Sequence, residues 1–191
     1  MRKIVFDIES RNIFQDVGKN DPTLLDLALV GVYDSETNKY TTYLQEELKD
    51  LWPIIERADL LIGYNSDHFD IPLLNKYYPG DLSKIKSIDL LKEIKNVTGR
   101  RFKLDHIADG TLGIQKSGHG LQAITWWKQG EIDKIREYCL DDVKITKKLY
   151  DYALKNGKLK YKEGPKAVSI PLNTANWEVI EETSMTHTLP F

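Results

Sequence analysis

Apolar positions follow two rhythms along the chain: short unbroken runs in its first half and helical spacing in its second. Residues 4–8, Ile-Val-Phe-Asp-Ile, read as a buried strand that ends at the first acids. Residues 27–33 and 39–44 read as two more strands, with Asp34-Ser35-Glu36-Thr37-Asn38 as a hairpin turn between them. Residues 46–58 take helical spacing through Leu48, Leu51, Ile54 and Ile55, and Pro53 should kink this helix or open a fresh first turn. Residues 60–64 form a fourth strand ending in Asn65, followed by a short helix over 69–77 that stops at Pro79-Gly80. Residues 85–88 give a fifth strand, and Asp89 opens an amphipathic helix to about residue 97.

Two shorter helical stretches, 104–112 and 121–128, flank a glycine-containing loop over 113–120. The longest helix spans 131–154, with Ile132, Ile135, Cys139, Val143, Thr146 and Leu149 as its buried stripe, and Gly157 ends it. Strands first and helices later predict an α/β fold, a mixed five-stranded sheet flanked by helices. The expected division is a domain over residues 1–156 and a C-terminal extension over 157–191. That extension passes from basic (Lys158, Lys160, Lys162, Lys166) to acidic (Glu178, Glu181, Glu182). It is expected as an appended tail or a surface for a separate protein partner, with a strand over 168–172.

Bulk numbers narrow the function classes. A chain of 191 residues holds one domain with a real core. Its formal charge of -2 gives no global pull on nucleic acid, so such a partner needs local cations or metal. The single cysteine, Cys139, excludes a disulfide within the chain and a cysteine zinc cage. The apolar run after Met1-Arg2-Lys3 is too short for a signal-peptide core, and no run approaches the roughly 18 residues of a membrane helix. The expected location is cytoplasmic, with no membrane association.

Three short motifs carry the candidate chemistry. Asp7 and Glu9 sit two residues apart on a strand and therefore face the same side. Asn65-Ser66-Asp67-His68-Phe69-Asp70 leaves the fourth strand, with Phe69 able to anchor in the core and present Asp70. Tyr138 and Asp142 lie one turn apart on the long helix near its buried stripe, whereas Asp141 is rotated away by about 100°.

Each motif alone has a plainer reading: a solvated strand exit, a helix cap, or a core tyrosine bonded to a carboxylate. The chain repeats two of the spacings elsewhere. Asp34-Ser35-Glu36 reads as solvated turn chemistry, and Tyr77 to Asp81 is interrupted by Pro79-Gly80. If Asp7, Glu9, Asp70 and Asp142 converge, their repulsion calls for cations, and hard divalent ions suit oxygen ligands. Such a cluster is the equipment of two-metal phosphodiester cleavage.

Taken together, the order and placement of the motifs resemble the DEDD superfamily of 3′-5′ exonucleases, on the ribonuclease H-like fold. Tyr138 four residues before Asp142, with Glu137 where a histidine would stand, is similar to the tyrosine branch (DEDDy). Gly63-Tyr64-Asn65 with Phe69-Asp70-Ile71-Pro72 resembles the proofreading domain of family B DNA polymerases and stand-alone exonucleases related to it. The resemblance spans about residues 1–156, without the flanking polymerase domains.

It implies release of nucleoside 5′-monophosphates from the 3′ end of single-stranded nucleic acid, DNA before RNA, with two Mg²⁺ or Mn²⁺ ions. Asp7 would bridge the ions, Glu9 and Asp142 would complete the one holding the attacking water, and Asp70 would act on the second. Tyr138 would orient that water rather than deprotonate it, since phenols titrate near 10.

Substrate contacts are expected at Asn65 and Phe69, and at Lys116 and His119 in the loop over 113–120. Arg100, Arg101 and Lys103 form a basic cluster that reads either as solvated surface or as a contact for the phosphate backbone, and Trp126-Trp127 read as one core ring and one interface ring. Two rival classes fit parts of the pattern. One is a non-catalytic nucleic-acid-binding module on the same fold, and the other a metal-free carboxylate hydrolase of sugars.

Overall fold

The computed structural model describes residues 1–115 and 121–180. The fold is α/β, built on a mixed five-stranded sheet of order β3-β2-β1-β4-β5. Its strands are β1 (Lys3–Ser10), β2 (Leu27–Asp34), β3 (Lys39–Leu44), β4 (Leu60–Gly63) and β5 (Ser87–Asp89). β1 to β3 form an antiparallel meander, while β1, β4 and β5 run parallel and so end at the same edge of the sheet. Ligand sites of open α/β sheets gather outside such carboxyl ends.

The pleat of β1 sorts its residues between two cores. Ile4, Phe6 and Ile8 point to one face and pack with residues of α2 (Leu48–Ile55) and α3 (Asp70–Asn75). Val5 points to the other, toward α4 (Leu90–Thr98), α5 (Leu104–Leu112) and α7 (Ile132–Asn156). Asp7 and Glu9 continue the Val5 side, so alternation alone delivers two carboxylates beneath α7. A one-turn α1 (Phe14–Val17) follows β1, and α6 (Leu121–Gln129) precedes α7.

Several expectations shift in detail. Pro53 lies inside α2, near its end, rather than opening a new turn. The fifth strand is Ser87–Asp89, two residues later than the apolar run suggested, because Leu82 and Ile85 serve a 3-10 turn instead. Asp34 is not solvated. It is buried and bound by Arg2 through two bonds of 3.1 and 2.8 Å, while still accepting the turn amide of Glu36 at 3.0 Å.

After α7 the chain makes an antiparallel hairpin, β6 (Lys158–Glu163) and β7 (Lys166–Pro171). Leu159, Ile170, Leu172 and Trp177 are buried with residues of α4, α5 and α7. As far as Trp177, then, the stretch expected to stand apart is folded onto the domain. Gly110 makes the close approach achievable, since a Cβ there would lie 2.4 Å from the Tyr161 backbone. Among the described residues no helix is long and apolar enough to cross a membrane.

Candidate functional site

The site forms where the end of β1 meets the middle of α7. Asp7 pairs across the sheet with Gly31 of β2. A Cβ on Gly31 would stand 2.7 Å from Cys139 Sγ and 3.2 Å from Val143 Cγ2, both on α7. The missing side chain therefore lets α7 settle onto the sheet beside Asp7. The Cys139 thiol donates to the Asp7 carbonyl at 3.4 Å and the Asp7 carboxylate at 3.5 Å.

Ligand atoms of Asp7, Glu9 and Cys139 lie within 4.8 Å of one another. Immediately beyond Glu9 the β1–β2 register shifts, an irregularity of the kind that re-aims side chains next to functional sites. Replacing Gly31 with Ala should destabilise the fold by about 1–3 kcal/mol, because α7 must lift. A denaturant melt checks this; an unchanged midpoint would mean the helix is not seated as described.

Asp70, the first residue of α3, approaches β1 from the chain leaving β4. Its carboxylate is 4% exposed and accepts backbone N–H groups from Ile8, between Asp7 and Glu9, and from Asp70 itself. Burial, then the charges of Asp89 and Asp142, push its pKa up to about 8, even though those two amides pull the other way. Asp142 is also buried, and together with Asp7 and Glu9 it holds the Cys139 thiol well above its usual range, after burial itself. Asp142 thus acts electrostatically both on Asp70 and on the Cys139 thiol that lies with Asp7 and Glu9.

Tyr138, half-buried one turn before Asp142, meets the edge of Trp126 with ring centroids 5.9 Å apart. Asp141 faces solvent and pairs with Lys144. The donor set suits a hard dication: carboxylate oxygens converge, and the one sulfur nearby is held as a neutral thiol.

The turn leading to Asp70 is held by residues outside the three motifs. Asn65 adopts φ +68°, and a Cβ on Gly63 would fall 2.4 Å from Ser66 Cβ. Asp89, buried at the end of β5, accepts Asn65 N–H at 2.7 Å and Asp67 N–H at 3.2 Å. The same side chain caps α4 through Leu91 N–H at 2.9 Å and Lys92 N–H at 3.3 Å. Its own pKa is raised, by burial first.

The sequence marked Asp89 only as a helix opener, because one Asp before an apolar helix carries no sign of its long-range amides. Cys139 read as stripe for the same reason, and Gly31 lies unremarked within the second strand. Arg101, from the basic cluster, donates to Asn65 Oδ1 at 2.6 Å. Phe69 is half-buried, edge-on to Phe14 at 6.0 Å, and with Phe14, Glu9 and Leu25 borders a cavity of about 280 Å³. Both Trp126 and Trp127 are half-buried, and Trp127 lies under the Arg11 guanidinium. Lys116 and His119 lie outside the described residues.

Comparison with known proteins follows the same outline. A family model described as RNase_H superfamily matches residues 4–154. The family B DNA polymerase from the hyperthermophilic archaeon Pyrobaculum calidifontis is similar in structure, with a TM-score of 0.62 and 19% identity. That alignment covers 81% of this chain and 24% of the polymerase chain, so this chain spans about a quarter of that protein. At this identity the likeness shows the fold. No curated protein matches the chain.

Proposed function

The chain belongs to the RNase_H superfamily, and from that membership and its acidic pocket we propose a divalent-metal-dependent nuclease of the DEDDy kind. It would be a 3′-5′ exonuclease on single-stranded nucleic acid, DNA before RNA, releasing nucleoside 5′-monophosphates. One observation carries the reading: Asp7 and Glu9 lie together at the end of β1, while buried Asp142 acts on the thiol beside them and on buried Asp70, whose pKa is raised.

Asp7, Glu9, Asp70 and Asp142 are the residues that would hold Mg²⁺ or Mn²⁺, two ions in all. When bound, such ions polarise the phosphoryl group and lower the pKa of a water to make it a nucleophile at neutral pH. The remaining parts position the substrate. Tyr138, its ring fixed against Trp126, orients a water by hydrogen bond. The cavity between Glu9, Phe14 and Phe69 takes the terminal nucleoside, with aromatic faces for a base. Asn65, held by Asp89 and Arg101, offers its amide group at the opposite flank.

The test is a 5′-labelled oligonucleotide, DNA and RNA in parallel, with Mn²⁺ or with chelator. A ladder shortening from the 3′ end, lost in chelator and blocked by a 3′-terminal phosphorothioate, is the expected result. No digestion of either by folded protein in Mn²⁺ contradicts the proposal. Tyr138→Phe should slow cleavage by about 10- to 100-fold while leaving the Mn²⁺-induced rise in melting temperature unchanged. Loss of that rise would show the phenol serving the metal instead of the water.

A further inference from the structure

A second cavity, of about 290 Å³, opens at the same sheet edge, beside the start of α4. Its walls include Asn65, Lys92 and Lys95, together with Arg101 from the α4–α5 connection. The β4–β5 register sets Asp89 opposite Gly63, and Val5 is opposite Ile62, so the ends of β1, β4 and β5 stand in one row. Two strand spacings, about 10 Å, separate β1 from β5. The cavity thus lies beside the carboxylate cluster, on the flank away from the Phe14–Phe69 cavity.

Its charge is opposite to that of the cluster. Lys92 is pinned by Asp67 at 2.7 Å, whereas Lys95 and Arg101 have no carboxylate within ion-pair distance among the described residues. Asp89 shares the wall, but its oxygens are committed to four backbone amides. The Arg101 guanidinium is steadied by Asn65 Oδ1 through one nitrogen, leaving other donors of its planar fork available. The basic triplet of the sequence is also divided here. Arg100 covers the rings of Phe102 and Tyr161, and Arg101 alone lines the cavity.

We propose that this cavity receives a backbone phosphate of the substrate strand, one or two nucleotides 5′ of the cleaved bond, on Lys95 and Arg101. The assignment rests on the nuclease reading above. It adds a length requirement, because a substrate too short to reach the cavity gains nothing from it.

The experiment compares wild type, the double variant Lys95→Glu/Arg101→Glu, and Lys49→Glu, an exposed α2 charge reversal remote from the cavity. Cleavage of a 12-mer and a dinucleotide is followed in Mn²⁺, and binding of a labelled 12-mer in Ca²⁺ by anisotropy. The double variant should lose about tenfold or more in the 12-mer to dinucleotide ratio of kcat/KM. Its salt dependence of 12-mer binding should flatten by about 1.4 in log–log slope for two lost contacts. Lys49→Glu should keep both. An unchanged ratio and slope in the double variant overturns the proposal. So does inhibition by millimolar inorganic phosphate that only the double variant escapes, which would assign the cavity to a free anion. Wild type that binds without cleaving, with binding still weakened in the double variant, retains the cavity and refutes the nuclease reading.

Discussion

Asp7→Ala should reduce cleavage at least a thousandfold while the protein stays folded and still binds single-stranded DNA in Ca²⁺. Asp7 sits where β1 leaves the apolar core, facing α7, with its carboxylate among Glu9 and Cys139. A loss of this size corresponds to about 4 kcal/mol of transition-state stabilisation, within what metal ions supply to a developing phosphoryl charge. The side chain is only partly buried and its removal opens little space, so the fold should tolerate the change. Single-turnover rates, a melt and anisotropy separate the three quantities. Full cleavage by the variant would dissociate the acidic pocket from the chemistry; lost binding with lost cleavage would point to a misfolded site.

The second large effect is on stability in the absence of metal. Asp70 has a folded pKa of about 8 against an ordinary 3.8, chiefly through burial. Below pH 3.8 both folded and unfolded chains carry the proton, and this group has no effect. Between 3.8 and 8 the folded chain keeps a proton that the unfolded chain releases, so stability falls as pH rises. Above 8 the loss is complete. Asp70→Asn removes this slope. In chelator at pH 8.5 it should be clearly more stable than wild type, because relief of the buried charge outweighs a cost of about 1 kcal/mol for a poorer acceptor of the two amides. Near pH 4 that advantage should vanish. Mn²⁺ should reverse the order, stabilising wild type more than the variant. Urea melts at the two pH values, with chelator and with Mn²⁺, check each step; parallel curves for the two proteins would show that Asp70 is not strained by its charge.

Much of this was legible because it is local. The five strands, the long helix and the shared face of Asp7 and Glu9 follow from periods of two and 3.6. The approach of Tyr138 and Asp142 to the protein follows from their place beside a buried stripe. What local rhythm does not carry is partnership across the fold. Asp89 presents as an ordinary helix cap, yet two of its four amides come from the turn that delivers Asp70. Gly31 looks like a weakness in a strand, and its value lies wholly in the atoms of α7 above it.

The hairpin after α7 was half seen. Its alternation at Leu159 and Ile170 is short and flanked by lysines, so the charge pattern suggested a free surface where packing makes a cover. Asp34 shows the same blindness in reverse: a turn acid that would be solvated, but for the arginine 32 positions earlier.

Dications are expected to occupy the space between the carboxyl end of β1 and the face of α7. Anomalous diffraction from crystals soaked in Mn²⁺ tests this most directly. The expected maps show manganese bound by Asp7 with Glu9, Asp70 and Asp142 as further ligands. Ordered side chains with no anomalous density among them at millimolar Mn²⁺, or density only elsewhere on the protein, would contradict it.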